Sequence, residues 1–173
     1  QLECGLKLSD LFVEVGVPRK KINPYWFRRI GLFRKKIISV FEPIEKNYED
    51  LLKMKPDIIY LFPEIAEQLA KIDEEQGGLL KPKKILTHGN MLYPHARKSI
   101  ISSFGNILHD MYGSAEFYRL AFECDHHSGY HMINDSSVLE FLKNGDPVSY
   151  GEQGSVTVTG LYNYDFPLIR YAL

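Results

Sequence analysis

Ile107-Leu108-His109-Asp110-Met111-Tyr112-Gly113-Ser114-Ala115-Glu116 is the stretch on which the reading of this chain turns. Its first five residues have the length and apolar character of a buried strand, and a loop of small, aromatic and acidic residues follows directly. Where a parallel sheet releases its chain, Gly113 lets the backbone approach a ligand closely, Tyr112 offers a flat face to a base, and Glu116 can hold a metal ion. The blander alternative is a strand-to-helix turn with Ser114 as its cap.

Toward the amino terminus the pattern alternates as in an α/β domain. Residues 7–15 place Leu8, Leu11, Phe12 and Val15 at a spacing that suits a helix or a strand. Asn23-Pro24 breaks the chain, and Ile37-Ile38-Ser39-Val40-Phe41 reads as a strand. A helix is predicted over 47–54, capped by Asn47 and stopped before Pro56. Strand 57–62 follows, then a helix opened by Pro63, running to about Glu75 and ended by Gly77-Gly78. Strand 84–87 closes at His88-Gly89-Asn90, and Tyr93-Pro94 starts a helix that reaches Phe104 and stops at Gly105. This order predicts parallel strands with right-handed crossovers and a crevice at their carboxyl ends, where His88-Gly89-Asn90 and the Tyr112 loop both fall.

From Gly129 the pattern changes. Short strands are expected at 130–133, 138–142, 155–159 and 168–171, with Asn144-Gly145 as a turn. The expectation is an α/β fold, a parallel sheet with flanking helices over 1–128, followed by an antiparallel β meander over 129–173.

The chain has 173 residues, enough to bury a core, and 45% are hydrophobic without an unbroken run long enough to span a membrane. Its formal charge of −1 gives no reason to expect nucleic acid or an anionic surface as partner. Cys4 and Cys124 make no disulfide framework and fit a reducing cytoplasm.

Two later segments accompany the opening loop. Gly151-Glu152-Gln153-Gly154 leads into Ser155-Val156-Thr157-Val158-Thr159, and Pro167-Leu168-Ile169-Arg170-Tyr171 follows. With the stretch from Phe122-Glu123-Cys124 to Gly129-Tyr130-His131, these resemble the phenylacetate–CoA ligase family of the adenylate-forming superfamily, over residues 55–173. That family shows an aromatic-Gly-x-Thr-Glu loop, a Gly-Glu-x-Gly turn before a strand ending in Thr, and a Pro-Leu-Ile-Arg-Tyr run. It also has an upstream phosphate loop, a Gly-Asp just beyond the last run and a lid with a catalytic lysine. None of these three is found in the chain, which is therefore expected to be the central part of the large domain and inactive by itself.

The resemblance implies an ATP-dependent ligase that activates an aryl or acyl carboxylic acid as its adenylate and transfers it to CoA. Tyr112 would stack on adenine, with Gly113 and Ser114 beside the nucleotide, and Glu116 would hold the Mg²⁺ that bridges the ATP phosphates. Gly89 aligns with the adenine-side loop, where His88-Gly89-Asn90 replaces the usual Gly-Ala-Glu. Ala115 replaces the family's phosphate-binding threonine, a contact that Ser114 would have to supply. Arg170, Gly151 and Gly154 read as structural, and Tyr93 and Phe117 as candidate walls of the acid pocket. The resemblance leaves room for a homodimer.

Alternatives come from other classes. Relatives include AMP-transferring synthetases that act on a non-carboxylate acceptor such as a deazaflavin phenol, and homologues linked to capsular polysaccharide. A non-catalytic nucleotide- or zinc-binding scaffold is the third reading: Cys124, His126 and His131 offer zinc-ligand chemistry, against satisfied or solvated histidines. The basic, aromatic segment 26–36 could grip CoA phosphates or form a solvated face over buried rings.

Overall fold

The structure, a computed structural model, describes residues 7–18 and 30–173. Cys4, the Asn23-Pro24 break and the Trp26, Phe27, Arg28 and Arg29 part of the basic segment lie outside the described residues. Two compact units share the chain, Gln1–Asp110 and Met111–Leu173.

The first unit is built on a parallel sheet. Its elements are β1 (Phe12–Gly16), β2 (Lys35–Ser39), α1 (Ile44–Met54), β3 (Ile58–Leu61), α2 (Pro63–Glu75), β4 (Lys84–His88), α3 (Pro94–Phe104) and β5 (Leu108–Tyr112). Of the ambiguous segment 7–15, residues 12–15 are therefore strand, while 7–11 form a turn and loop. β1 pairs in parallel with β2 and β3, β3 pairs in parallel with β4, and β5 neighbours β4. The resulting order is β2-β1-β3-β4-β5. The crossovers through α1, α2 and α3 all move the same way along this sheet, so right-handedness puts the three helices on one face.

Register explains what that face contains. Val13, Ile59 and Ile85 form one row across the sheet, and Val15, Leu61 and Thr87 form the next. Leu51 of α1, Leu69 of α2 and Ile100 of α3 close over these rows, each 2% exposed or less. Burying such a side chain contributes about 1.5–3 kcal/mol relative to leaving it in water.

Pro63 opens α2 and Pro94 opens α3 as predicted, both at ring-tolerant first-turn positions. The predicted start of α1 is three residues late. Pro43 takes the cap position, and Asn47 lies inside the helix, 1% exposed. A capping residue and a buried helical asparagine look the same in sequence, and only packing separates them. Lys55 ends α1 in the left-handed region before Pro56, its N–H bonded to the Leu51 carbonyl.

At the amino ends of the strands Lys83 binds two carboxylates, Asp10 at 2.7 Å and Asp57 at 2.9 Å. Asp57 also accepts the Leu11 N–H at 2.7 Å. Burial works to raise Asp10, but the Lys83 hydrogen bond and the Lys7 amide outweigh it and hold its carboxyl below the usual range. The balance at Asp57 runs the same way, with the Leu11 amide, Lys83 and Arg34 opposing burial.

The second unit is antiparallel from its start. Met111 and Tyr112 pair with β6 (Ala121–Glu123), and β6 pairs with β7 (Tyr130–Met132). Antiparallel pairing thus begins ahead of Gly129, on a three-residue strand too short to leave a periodic signal. The other sheet has the order β11-β10-β8-β9, built from β8 (Ser137–Lys143), β9 (Asp146–Pro147), β10 (Ser155–Gly160) and β11 (Tyr171–Ala172). It is not a simple meander, because β10 returns to the far side of β8 from β9. Asn144 and Gly145 both have positive φ, 55° and 94°, as a two-residue hairpin between Lys143 and Asp146 requires. No helix among the described residues is long and apolar enough to cross a membrane.

Candidate functional site

The Tyr112–Glu116 loop closes on itself through its backbone. Leu120 N–H bonds the Tyr112 carbonyl at 2.9 Å, and Tyr118 N–H bonds the Ser114 carbonyl at 2.8 Å. Gly113 sits inside this closure: a Cβ there would lie 1.9 Å from the Tyr118 carbonyl oxygen. The glycine is thus demanded by the loop's own fold, before any ligand arrives. Tyr118 takes up the turn with φ of 64°, an uncommon value for a large side chain.

Ser114 is occupied within the loop. Its Oγ accepts the Phe117 N–H at 3.4 Å. Glu116 itself is exposed, and its carboxyl lies below the usual value of 4.5, held first by its own backbone N–H, then by Ser114 and by Tyr171. The Tyr171 hydroxyl donates to Glu116 Oε1 at 3.5 Å.

That contact joins the opening loop to the Pro-Leu-Ile-Arg-Tyr run. Phe117 strengthens the junction, its ring centroid 6.1 Å from that of Tyr171. Gly160, at the end of β10, faces the same ring, which would stand 3.2 Å from a Cβ at that position. Glu116 and Phe117 border a pocket of about 160 Å³ with Ser137, Gly160, Asn163 and Leu168. Within the second unit the structure therefore gathers the loop, the end of the Thr-rich strand and the last motif. Tyr171 was inside a motif legible in the sequence and Gly160 was not singled out there; the partnership of the two with Glu116 and Phe117 was not legible.

Arg170 pairs with Glu140 of β8 at 3.2 Å, and its N–H bonds Thr159 Oγ1 at 2.9 Å, so it serves the sheet. Tyr112 is 39% exposed at the end of β5, leaving ring surface for a ligand. In the first unit, Gly89 has φ of 83°, and a Cβ would lie 2.7 Å from Phe62, so both shape and space call for glycine. His88 stacks on Tyr60 at 3.9 Å, and Asn90 donates to Glu64 at 3.0 Å. Tyr93 stacks on His95, ring centroids 5.7 Å apart.

Among the described residues no three His, Cys, Asp or Glu side chains gather at a metal-sized site, so Cys124, His126 and His131 are not brought together as a ligand set. His131 lies against the Phe122 ring, and Cys124 is a free, half-buried thiol. Arg34 and Lys35 of the basic segment are engaged within the chain, Arg34 with the Ser9 carbonyl and Lys35 with Glu14 at 2.6 Å.

No protein-family model and no curated protein matches this chain. Solved structures do. A 2-hydroxyisobutyryl-CoA ligase, in an open conformation with 2-HIB-AMP and CoA, is similar over 97% of this chain and 40% of its own, with a TM-score of 0.78 and 21% identity. MbtA of Mycobacterium smegmatis is similar over 95% of this chain and 32% of its own, with a TM-score of 0.64 and 14% identity. A long-chain-fatty-acid–CoA ligase of Archaeoglobus fulgidus covers 90% of this chain and 35% of its own, with a TM-score of 0.62 and 15% identity. The chain shares the fold of these proteins and spans less than half of their length.

Proposed function

We propose that this chain is the central part of the large domain of an adenylate-forming ligase of the phenylacetate–CoA ligase kind. The observation that carries the reading is the meeting of Glu116 with Tyr171, because it joins two separate sequence motifs around one anionic, exposed carboxylate. Support comes from the fold shared with a ligase whose structure holds 2-HIB-AMP and CoA.

The reaction is proposed for the full-length protein. An acid carboxylate oxygen attacks the α-phosphorus of ATP, the bond to the bridging oxygen breaks, and pyrophosphate leaves. The CoA thiol, losing its proton, then attacks the acyl carbonyl and releases AMP. Tyr112 covers the adenine with its exposed ring face, and Gly89 keeps the adenine-side loop free of a side chain. Magnesium takes hard oxygen ligands and retains waters, so one ionised carboxylate at Glu116 fits a share of its shell. The ion supplies charge neutralisation of the ATP phosphates. Glu116 is held toward its task by its own amide, Ser114 and Tyr171, while the two backbone bonds of the loop fix where Tyr112 leaves the sheet.

The test is carboxylate-dependent ATP–pyrophosphate exchange by the full-length protein with a panel of aryl and fatty acids. Acid-dependent exchange that collapses in Glu116→Ala is the expected result. Exchange without added acid would redirect the reading to a non-carboxylate acceptor. Silence across the panel, from folded protein, would overturn it.

A further inference from the structure

We infer that Thr87 and Asp110 are positioning residues that set the carboxyl ends of β4 and β5, and with them the two ligand loops that follow. The inference rests on the nucleotide-handling role proposed above for those loops.

Thr87 stands at the end of an otherwise apolar row, beside Leu61 and Val15. It is fully buried, and Asp110 is 6% exposed. The Thr87 hydroxyl donates to Asp110 Oδ1 at 2.5 Å. Valine has the shape of threonine and would suit this row without burying a hydroxyl, and removing a hydroxyl and a carboxylate together from such a place is often neutral or stabilising. Stability alone therefore gives little reason for the pair.

Direction gives a better one. Apolar rows tolerate small slides between strands, whereas a short hydrogen bond between two side chains fixes one height and one angle. Gly89 follows Thr87 by two residues, and Tyr112 follows Asp110 by two, so the tie sits at the root of both loops. The cluster at the opposite strand ends, Lys83 with Asp10 and Asp57, includes no residue of β5. Lys84 and His109, 3.1 Å apart, also connect β4 with β5 and do not involve Thr87, which favours a folded variant.

The experiment compares wild type, Thr87→Val and Thr87→Ser in the full-length protein by residue-resolved amide hydrogen exchange. The reporters are the N–H groups of Tyr118 and Leu120, which close the loop, with the helical N–H of Ala66 as reference. Exchange at the two reporters about tenfold faster in Thr87→Val, unchanged at Ala66 and restored in Thr87→Ser, is the expected result. Unchanged reporters, or equal acceleration of all three amides, overturns the inference. In the exchange assay Thr87→Val is expected to raise KM for ATP about tenfold with kcat nearly unchanged. A wild type inactive with every acid overturns the proposed function, and the amide result then decides the positioning role by itself.

Discussion

Gly113 shows how one residue can be legible in sequence for an incomplete reason. A glycine in that loop suggested room for a ligand, and its first duty is room for the Tyr118 carbonyl. Gly113→Ala should therefore destabilise the protein by about 3 kcal/mol, measured by urea unfolding, because neither partner in the clash is a flexible side-chain end. Glu116 behaves in the opposite way. It is exposed, so Glu116→Gln should leave the unfolding midpoint nearly unchanged while lowering pyrophosphate exchange about 100-fold. Because its folded-state value lies below 4.5, its interactions are present above that pH and are lost as pH falls through the lowered value. Titration of Glu116 should therefore leave no inflection in the exchange rate between pH 8 and pH 5. The identities of Tyr112, Gly113 and Glu116 could be read from the chain. The bond from the Phe117 amide to Ser114 Oγ could not, since it depends on where that amide comes to lie.

Element ends carry the polar ties of the first unit. Asp73, at the end of α2, is fully buried and accepts the Tyr48 hydroxyl at 2.9 Å and the Leu80 N–H at 2.8 Å. Burial, and then the bond to Asp73, push the Tyr48 phenol up to about 12. Asp73→Ala strands both donors and should cost about 2–4 kcal/mol, against about 1 kcal/mol for Tyr48→Phe, compared by urea unfolding. The Lys83 cluster predicts acid sensitivity. Asp10 and Asp57 both lie below 3.8 when folded, so their contribution is complete above that pH and lost as pH falls through the lowered values. Urea midpoints should stay level from pH 7 to pH 5 and drop below about pH 4, with a smaller drop in Lys83→Met. Helices α2 and α3 were legible at nearly their full extent, since proline opens each and glycine follows each. The start of α1 was not, because Asn47 could cap or be buried. β6 was not either, because three residues cannot show a period.

At the scale of the molecule, strand order β2-β1-β3-β4-β5 places the topological switch between β1 and β3. The residues proposed for the nucleotide instead follow β4 and β5, so the motifs and the strand order point to different places. If those loops hold Mg·ATP in the full-length protein, nucleotide at 100 times its Kd should add about 2.7 kcal/mol of stability. A thermal shift of several degrees in wild type, much reduced in Glu116→Gln, is the expected readout. The chain's own sequence determined the α/β alternation, the helix boundaries marked by proline and glycine, the Asn144-Gly145 hairpin and the residues of each motif. These depend on local backbone preference and short-range periodicity, which neighbouring residues express without help from the rest of the fold. Tertiary structure alone decided that Tyr171 reaches Glu116, that Gly160 gives way to Phe117, that β10 lies between β8 and β11, and that Thr87 binds Asp110. Those contacts join residues 23 to 55 positions apart or strands out of sequence order, and their partners are chosen by register and packing rather than by any local pattern.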